Sequence, residues 1–336
     1  MPPRRRKPRR GVVLGGGGVL GGAWMVGALC ALEEVCGFDP RSAEMIVGTS
    51  AGSVIATMLG AGVSATQLRD HQQGRVLDSG PLAGFTWDYE FATGSARPPI
   101  PRPGMSAPAM VARNVLRLHE MPPTAVLAAF LPTGTRSLER LRQLVEAVSP
   151  VGAWSPNPGV RVVAMDLDSG RRVVFGEPGA PQVDLAGAVL ASCSIPGWFA
   201  PVTIAGDRYV DGGACSATSV DVLAGKGLDE VYVLAPMVSF EHDRPGSVLA
   251  RLERRWRVQV TKRCIAEADK LRHSGTTVHV IGPGAADLEA IGANSMDVTR
   301  RLSVLASSQL TAAAAWREIV PAVERPARRV RAVKVS

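Results

Sequence analysis

Aromatic residues make up only 5% of this 336-residue chain, and cysteine and histidine occur five times each. The cysteines, Cys30, Cys36, Cys193, Cys215 and Cys264, are odd in number, irregularly spaced and free of any C-x-x-C pair. That usage predicts reduced thiols in a cytoplasmic setting and no metal site. Zinc-finger spacing, RNP-like segments and aromatics interleaved with basic residues are all missing, which argues against a specific nucleic-acid partner. Internal repeats are absent too. Long uncharged runs are scarce. Only 11–32 qualifies, behind a basic stretch, and that layout resembles a signal peptide or a single membrane span. Glycines at 15–18 and 21–22 interrupt it, each costing about 1 kcal/mol in a helix interior, and no small-residue cleavage site follows. The expectation is a cytoplasmic protein, at most peripheral to the inner face of a membrane, and not a polytopic one.

What is present suits a globular α/β protein: 46% hydrophobic residues, 20% charged, 36 glycines and 25 prolines. The length fits one large domain or two small ones. Much of the formal net charge of +8 gathers at the ends, in Arg4, Arg5, Arg6, Lys7, Arg9 and Arg10 and in Arg325, Arg328, Arg329, Arg331 and Lys334. Such runs are solvated tails, or they attract anionic lipid headgroups at about 1 kcal/mol per basic residue. The reading divides the chain into basic tails at 1–10 and 321–336 around one domain at 11–320.

Apolar runs at 11–14 and 45–47 read as buried strands, with a glycine-rich turn and a helix between them that Gly37 ends. This is a βαβ unit. Residues 65–157 differ in character. They hold a proline-rich loop at 96–104 and helical patterns at 106–119, 123–131 and 136–148, read as a helical insertion that is either a lid over the site or an ordinary helical layer on the sheet. Thr135 or Ser137 would cap the last of these. Strands then recur at 160–165 and 172–175 as a hairpin, at 199–204 and 208–210, and at 231–234 and 277–281. Asp184 would cap a helix at 185–193. A long basic helix at 247–273 and a C-terminal helix at 297–319 complete the order.

The second strand runs into Gly48-Thr49-Ser50-Ala51-Gly52, a G-x-S-x-G pattern, and then an apolar helix at 54–59. A serine on a sharp strand-to-helix turn suits nucleophilic catalysis. A serine hydroxyl needs a base to take its proton and donors for the oxyanion it creates. Gly16, Gly17, Gly18 and Val19 offer unobstructed backbone N–H groups at a helix N-terminus. Gly16, Gly18 and Gly21 also satisfy the dinucleotide fingerprint G-x-G-x-x-G. That site wants an acidic residue at the end of the second strand; Gly48-Thr49-Ser50 stands there, and Glu33, Glu34 and Asp39 come too early. For the base, His71, His119, His242, His273 and His279 all lack the tight loop after a strand that a triad histidine needs, with His242 the least poor. Asp211 ends an apolar strand before Gly212 and Gly213, as a direct base would, or as a turn-forming Asp-Gly. Desolvation would raise its pKa from near the ordinary aspartate value of about 3.9.

Three elements in this order, Gly15-Gly16-Gly17-Gly18-Val19-Leu20-Gly21, Gly48-Thr49-Ser50-Ala51-Gly52 and Asp211-Gly212-Gly213, resemble the patatin-like phospholipase family. The stretch Ala191-Ser192-Cys193-Ser194-Ile195-Pro196-Gly197 is similar to the family's segment before its aspartate. The likeness covers about 11–225, with a weaker part at Asn294-Ser295-Met296-Asp297. It implies a three-layer α/β/α fold with a mostly parallel sheet, and a Ser50–Asp211 dyad without histidine. It implies an oxyanion hole from the Gly16–Val19 loop and hydrolysis of lipid acyl esters through an acyl-enzyme, with no cofactor. Leu20 departs from the Arg or Lys usual there, which favours a simpler acyl ester over a phospholipid. The alternatives are a Ser-His-Asp triad esterase, an acyltransferase, or a non-catalytic lipid-binding relative. Oligomeric state stays open.

Overall fold

The computed structural model describes residues 6–89, 104–116, 118–241 and 248–319. The extreme termini with most of the basic runs, the proline-rich stretch up to Pro103, and His242 lie outside the described residues. Strands β1 (Arg10–Leu14), β2 (Met45–Thr49), β3 (Val160–Asp166), β4 (Arg172–Phe175), β5 (Val202–Ile204), β6 (Asp207–Asp211), β7 (Glu230–Leu234) and β8 (Thr277–Ile281) form one sheet. Its order is β5-β6-β3-β2-β1-β7-β8, with β4 paired to β3. The β2–β1, β1–β7, β7–β8 and β2–β3 pairs are parallel, while β4, β5 and β6 pair antiparallel.

Alternation along the central strands explains the layers. Side chains of successive strand residues point to opposite faces. Val12, Leu14, Ile46, Val162 and Leu234 enter one core, with α1 (Gly18–Cys36), α2 (Ala51–Gly60), α7 (Leu185–Cys193) and α10 (Arg301–Ile319) packed over it. Val13, Val47, Val163, Val231 and Val233 enter the other, under α8 (Val248–His273) through Val260, Cys264, Ala268 and Leu271. Both faces being covered, the strands read as unbroken apolar runs. Helix α1 is long and apolar enough to cross a membrane, and 72% of that stretch is buried inside the protein. Its Ala28 C=O accepts from the Trp316 indole at 3.2 Å, fastening α10 to it.

Between α2 and β3 come α3 (Ala65–Gln72), α4 (Pro108–Asn114), α5 (Pro123–Phe130) and α6 (Glu139–Glu146); α9 (Ala285–Ile291) follows β8. Helix α3 opens with a capping box, the Ser64 hydroxyl taking the Gln67 N–H at 3.1 Å and the Gln67 amide taking the Ser64 N–H at 3.0 Å. The helix expected at 106–119 is shorter. Asn114 turns its side chain onto the Met110 C=O at 2.9 Å and satisfies the last turn there. The strand expected at 199–204 reduces to β5, because Pro201 has no N–H to pair and the Ala200 N–H is taken by the Arg136 C=O at 2.9 Å. The C-terminal helix starts at Arg301, after Asp297 has capped a separate 3₁₀ turn at Val298–Arg300. Asp184 does cap α7, accepting from the Gly187 N–H at 2.7 Å.

Candidate active site

Ser50 sits between the last residue of β2 and the first of α2, at φ 53 and ψ −125. A non-glycine residue pays about 1–3 kcal/mol for such a conformation. Three contacts hold it. The Ser53 N–H returns to the Ser50 C=O at 2.8 Å, and the Ser53 hydroxyl reaches the same oxygen at 2.7 Å. The Ser50 N–H donates to the Ser192 hydroxyl oxygen at 2.8 Å, and that hydroxyl donates onward to the Val163 C=O at 2.6 Å. Gly52 makes the turn possible, since a Cβ there would stand 2.0 Å from the Leu14 carbonyl oxygen. Gly48 lies against the same backbone, on β2.

Asp211 arrives at the end of β6, paired with Ala164 of β3. Its N–H is held by the Ser194 C=O at 2.9 Å, and its carboxylate accepts the Gly213 N–H at 2.8 Å across a short turn, Gly212–Ala214. The side chain is buried, and the side chain of Ser50 lies close enough to favour its charged form. Burial pushes the carboxyl pKa up to about 6, against the pull of the nearby Ser50 side chain and of the Gly213 N–H. Two residues far apart in sequence thus meet because β2 and β6 both flank β3.

The glycine-rich loop closes a third side. A methyl built on Gly16 would stand 3.3 Å from the Ser50 Cβ. Gly18 takes φ +62, the left-handed region that favours glycine, with Ser295 and Met296 packed against it. The Gly16 N–H is already engaged, donating to the Ala217 C=O at 2.8 Å. That corrects the expectation that all four residues at 16–19 could face an oxyanion. Among the described residues, the N–H groups of Gly17, Gly18 and Val19 meet no protein acceptor. Gly21 bonds back to the Gly17 C=O at 2.9 Å in the first turn of α1. Leu20 is fully buried, so this position presents nothing to the site.

Ser50, Gly18 and Val19 share an open cleft. Its walls are mainly apolar, with Val54, Ile55 and Met58 from α2, Leu141 and Leu144 from α6, and Phe199. His71, Gln72 and Arg301 also line it. Arg301 stacks on Tyr89, 4.1 Å from the ring centroid, and donates to the Gln72 C=O.

Among the described residues no cluster of three or more His, Cys, Asp or Glu could hold a metal ion. The histidines are placed as follows. His279 pairs with Glu230 at 2.9 Å across β7 and β8 and stacks on Tyr232. His119 faces Glu120, and His273 bonds the Asp269 C=O at 2.6 Å. His71 does reach the cleft wall, which its helical setting did not suggest. Its Nδ1 lies 3.0 Å from the Tyr89 hydroxyl, its ring stacks on Phe85, and burial holds its pKa below the usual value.

Residues that sequence reasoning passed over support this site. Ser192 fixes the elbow from beneath; the signal was its place in the stretch before the aspartate. Glu267 of α8 is buried and accepts from the Thr218 hydroxyl at 2.9 Å and the Val220 N–H at 3.0 Å. It anchors the segment whose Ala217 C=O holds Gly16. Nothing in a helix read as long and basic pointed to it. We expect Ser192→Ala to lower kcat about tenfold while KM changes little, since the orphaned Ser50 N–H costs about 1–3 kcal/mol and loosens the turn that holds Ser50. Steady-state kinetics on one soluble ester checks this; an unchanged kcat in the folded variant would remove Ser192 from the support.

No curated protein compared with the chain matches it. The solved structures similar to this chain include two distant ones. VipD from Legionella pneumophila is 16% identical, with TM-score 0.40, over 90% of this chain and 67% of that one. The type III effector protein ExoU is 14% identical, with TM-score 0.34, over 93% of this chain and 53% of that one, so this chain spans about half of its length. The model of the family described as patatin-like phospholipase matches residues 12–224. That match is well over half of the chain and contains the glycine-rich loop, the Ser50 elbow and the Asp211 turn, so the chain belongs to the patatin-like phospholipase family, which implies lipid acyl hydrolase activity.

Proposed function

We propose that this protein hydrolyses acyl esters of lipids, with Ser50 as nucleophile, Asp211 as its base and the N–H groups of Gly17, Gly18 and Val19 as oxyanion donors. The observation that carries the proposal is the proximity of the Ser50 side chain to a buried carboxylate, beside an apolar cleft. The acyl chain lies along the walls from α2 and α6, where each buried CH₂ contributes about 0.8 kcal/mol. Asp211 takes the hydroxyl proton as the Ser50 oxygen attacks the ester carbonyl. Negative charge moves to the carbonyl oxygen, opposite the loop N–H groups. The tetrahedral species collapses, the alcohol portion leaves with the proton from Asp211, and an acyl-enzyme remains. Water then attacks with Asp211 again as base, releasing the fatty acid and restoring Ser50.

A base must be ionised to act. With the Asp211 carboxyl at about 6, protonation below that pH removes the acceptor. We expect kcat/KM on a soluble p-nitrophenyl ester to fall about tenfold per unit below pH 6 and to level off above pH 7. Longer acyl chains should give the higher kcat/KM. A flat profile between pH 5 and 8, with intact fold, would contradict the role given to Asp211.

A further inference from the structure

Helix α8 is 26 residues long, and only its later part packs on the sheet. Its inward row is Arg257, Val260, Cys264, Glu267, Ala268 and Leu271, all buried. Among the side chains described before Arg257 none is buried. The stretch from Val248 to Trp256 therefore runs about 13 Å, at about 1.5 Å per residue, without entering the core. Glu253 and Arg254 hold it from one side, Glu253 to Arg257 and Arg254 to the Leu288 C=O at 3.1 Å. The other side carries Val248, Leu252 and Trp256, at 72%, 56% and 39% exposure. Residues four apart on a helix are neighbours, so these three form one row. Arg251, Arg255 and Lys262, all exposed, fall in the row beside it. A helix at the surface of a soluble protein turns its large apolar residues inward, and packing of that face supplies most of its stability. The start of α8 presents them to solvent instead.

Charge selects the occupant. Helix α8 carries eight Lys and Arg against three Asp and Glu. Each acid already faces a cation of the same helix: Glu253 with Arg254 and Arg257, Glu267 with Arg263, and Asp269 with Arg272. Among the described residues Arg255 and Lys262 have no hydrogen-bonding or ionic partner. The first turn holds no acidic residue, although the helix dipole favours one there. A nucleic acid would satisfy the cations and offer little to the apolar row. An anionic bilayer meets both, since Val, Leu and Trp enter the boundary between headgroups and acyl chains while Arg and Lys reach the phosphates. We propose that the start of α8 docks this protein on an anionic lipid surface, with Leu252 and Trp256 in the acyl boundary and Arg251, Arg255 and Lys262 on headgroup phosphates. The Arg257 guanidinium donates to the Pro236 C=O at 2.6 Å, and a Cβ on Gly17 would stand 2.8 Å from Pro236. The docking end of α8 thus adjoins the glycine-rich loop through one residue. The proposal goes beyond the lipid-ester reading and needs no catalysis.

The test uses the full chain carrying Ser50→Ala, so that vesicles are not consumed. Partition is measured by flotation on vesicles of phosphatidylcholine alone and of phosphatidylcholine mixed equally with phosphatidylglycerol, at low and high salt. The basic tails stay in every variant, so differences between variants report α8. The pair Leu252→Ser, Trp256→Ser should weaken partition on the mixed vesicles at least about tenfold at both salts, because the lost contribution is apolar. The pair Arg255→Gln, Lys262→Gln should weaken it at least about tenfold at low salt and little at high salt. Trp256→Phe should bind like the parent and lose the share of tryptophan emission that bromine-labelled lipid quenches. Leu310→Ser removes an exposed apolar residue of α10 and should leave partition unchanged. With Ser50 restored, both pairs should keep kcat/KM on a short soluble ester within about twofold, as surface changes do, which also checks their folding. The proposal is overturned if the parent does not prefer anionic vesicles, if either pair partitions like the parent, or if Leu310→Ser weakens binding equally. Quenching that survives in Trp256→Phe overturns it too, as does a dimer in sedimentation that Leu252→Ser, Trp256→Ser dissociates while vesicle binding persists. Failure of docking leaves the hydrolase reading standing, and a docking but inactive parent enzyme sinks that reading alone.

Discussion

Ser50→Ala is expected to abolish ester hydrolysis, by a factor on the order of 10⁶, as for removal of other serine nucleophiles. The fold should persist, because the bond from the backbone N–H to Ser192 and the Ser53 contacts to the Ser50 C=O use no Ser50 side-chain atom. A second substitution separates chemistry from strain. Ser50 holds φ 53, which glycine adopts without penalty. Ser50→Gly should be equally inactive yet more stable than Ser50→Ala, by about 1 kcal/mol once the extra chain entropy of glycine is set against the strain relieved. Thermal melts and initial rates on both variants measure this. Residual turnover near the parent level in either folded variant would end the assignment of Ser50.

Asp211→Asn should lower kcat by at least about 10² and at the same time stabilise the protein. The amide keeps the shape and its oxygen can still accept from the Gly213 N–H, but it cannot take a proton. The stability effect follows from the direction of the pKa shift. The folded carboxyl sits at about 6 against 3.8 in the unfolded chain, so ionisation is disfavoured in the fold. That penalty, up to about 3 kcal/mol, is fully present above pH 6 and absent below about pH 4, where both states are protonated. The melting temperature of Asp211→Asn should exceed that of the parent at pH 7.5, and the gap should close toward pH 4. Single His→Ala changes should stay within a few-fold of the parent on a soluble ester. The informative one is His71→Ala, because His71 lines the cleft. It should lose stability through the missing Tyr89 and Phe85 contacts. A folded His71→Ala losing about a thousandfold, beside a nearly normal Asp211→Asn, would install a triad instead.

The parts of the site legible in the sequence are those where backbone geometry restricts residue type. Gly52 has to clear the Leu14 carbonyl and Gly18 has a left-handed backbone, so both leave a visible pattern beside the serine. The buried strands were legible because both faces of the sheet are covered, leaving runs such as Val12-Val13-Leu14 without a polar break. Contacts between distant segments left less trace. Ser192 looks like any small helical residue until β3 brings its hydroxyl under Ser50. Glu267 lies on a helix rich in basic residues, and burial alone sets it apart. Helix α3 was not separated from the insertion, since four of its eight residues are exposed or half-buried and its apolar periodicity is weak; the Ser64–Gln67 box was the available signal. The helix boundaries at Asn114 and Arg301 go with local side-chain bonds, Asn114 to the Met110 C=O and Asp297 to the Thr299 N–H, which hydrophobic periodicity does not resolve.

The central claim is that Ser50 is the residue activated by Asp211. It is tested most directly by reacting the intact protein with a fluorophosphonate and locating the adduct by mass spectrometry, across pH, in the parent and in Asp211→Asn. The expected result is one adduct, on the peptide carrying Ser50, forming at a rate that rises with pH through about 6 and slows at least about 10²-fold in Asp211→Asn. An adduct on another residue, or one on Ser50 that forms equally fast without the Asp211 carboxylate, would contradict the account.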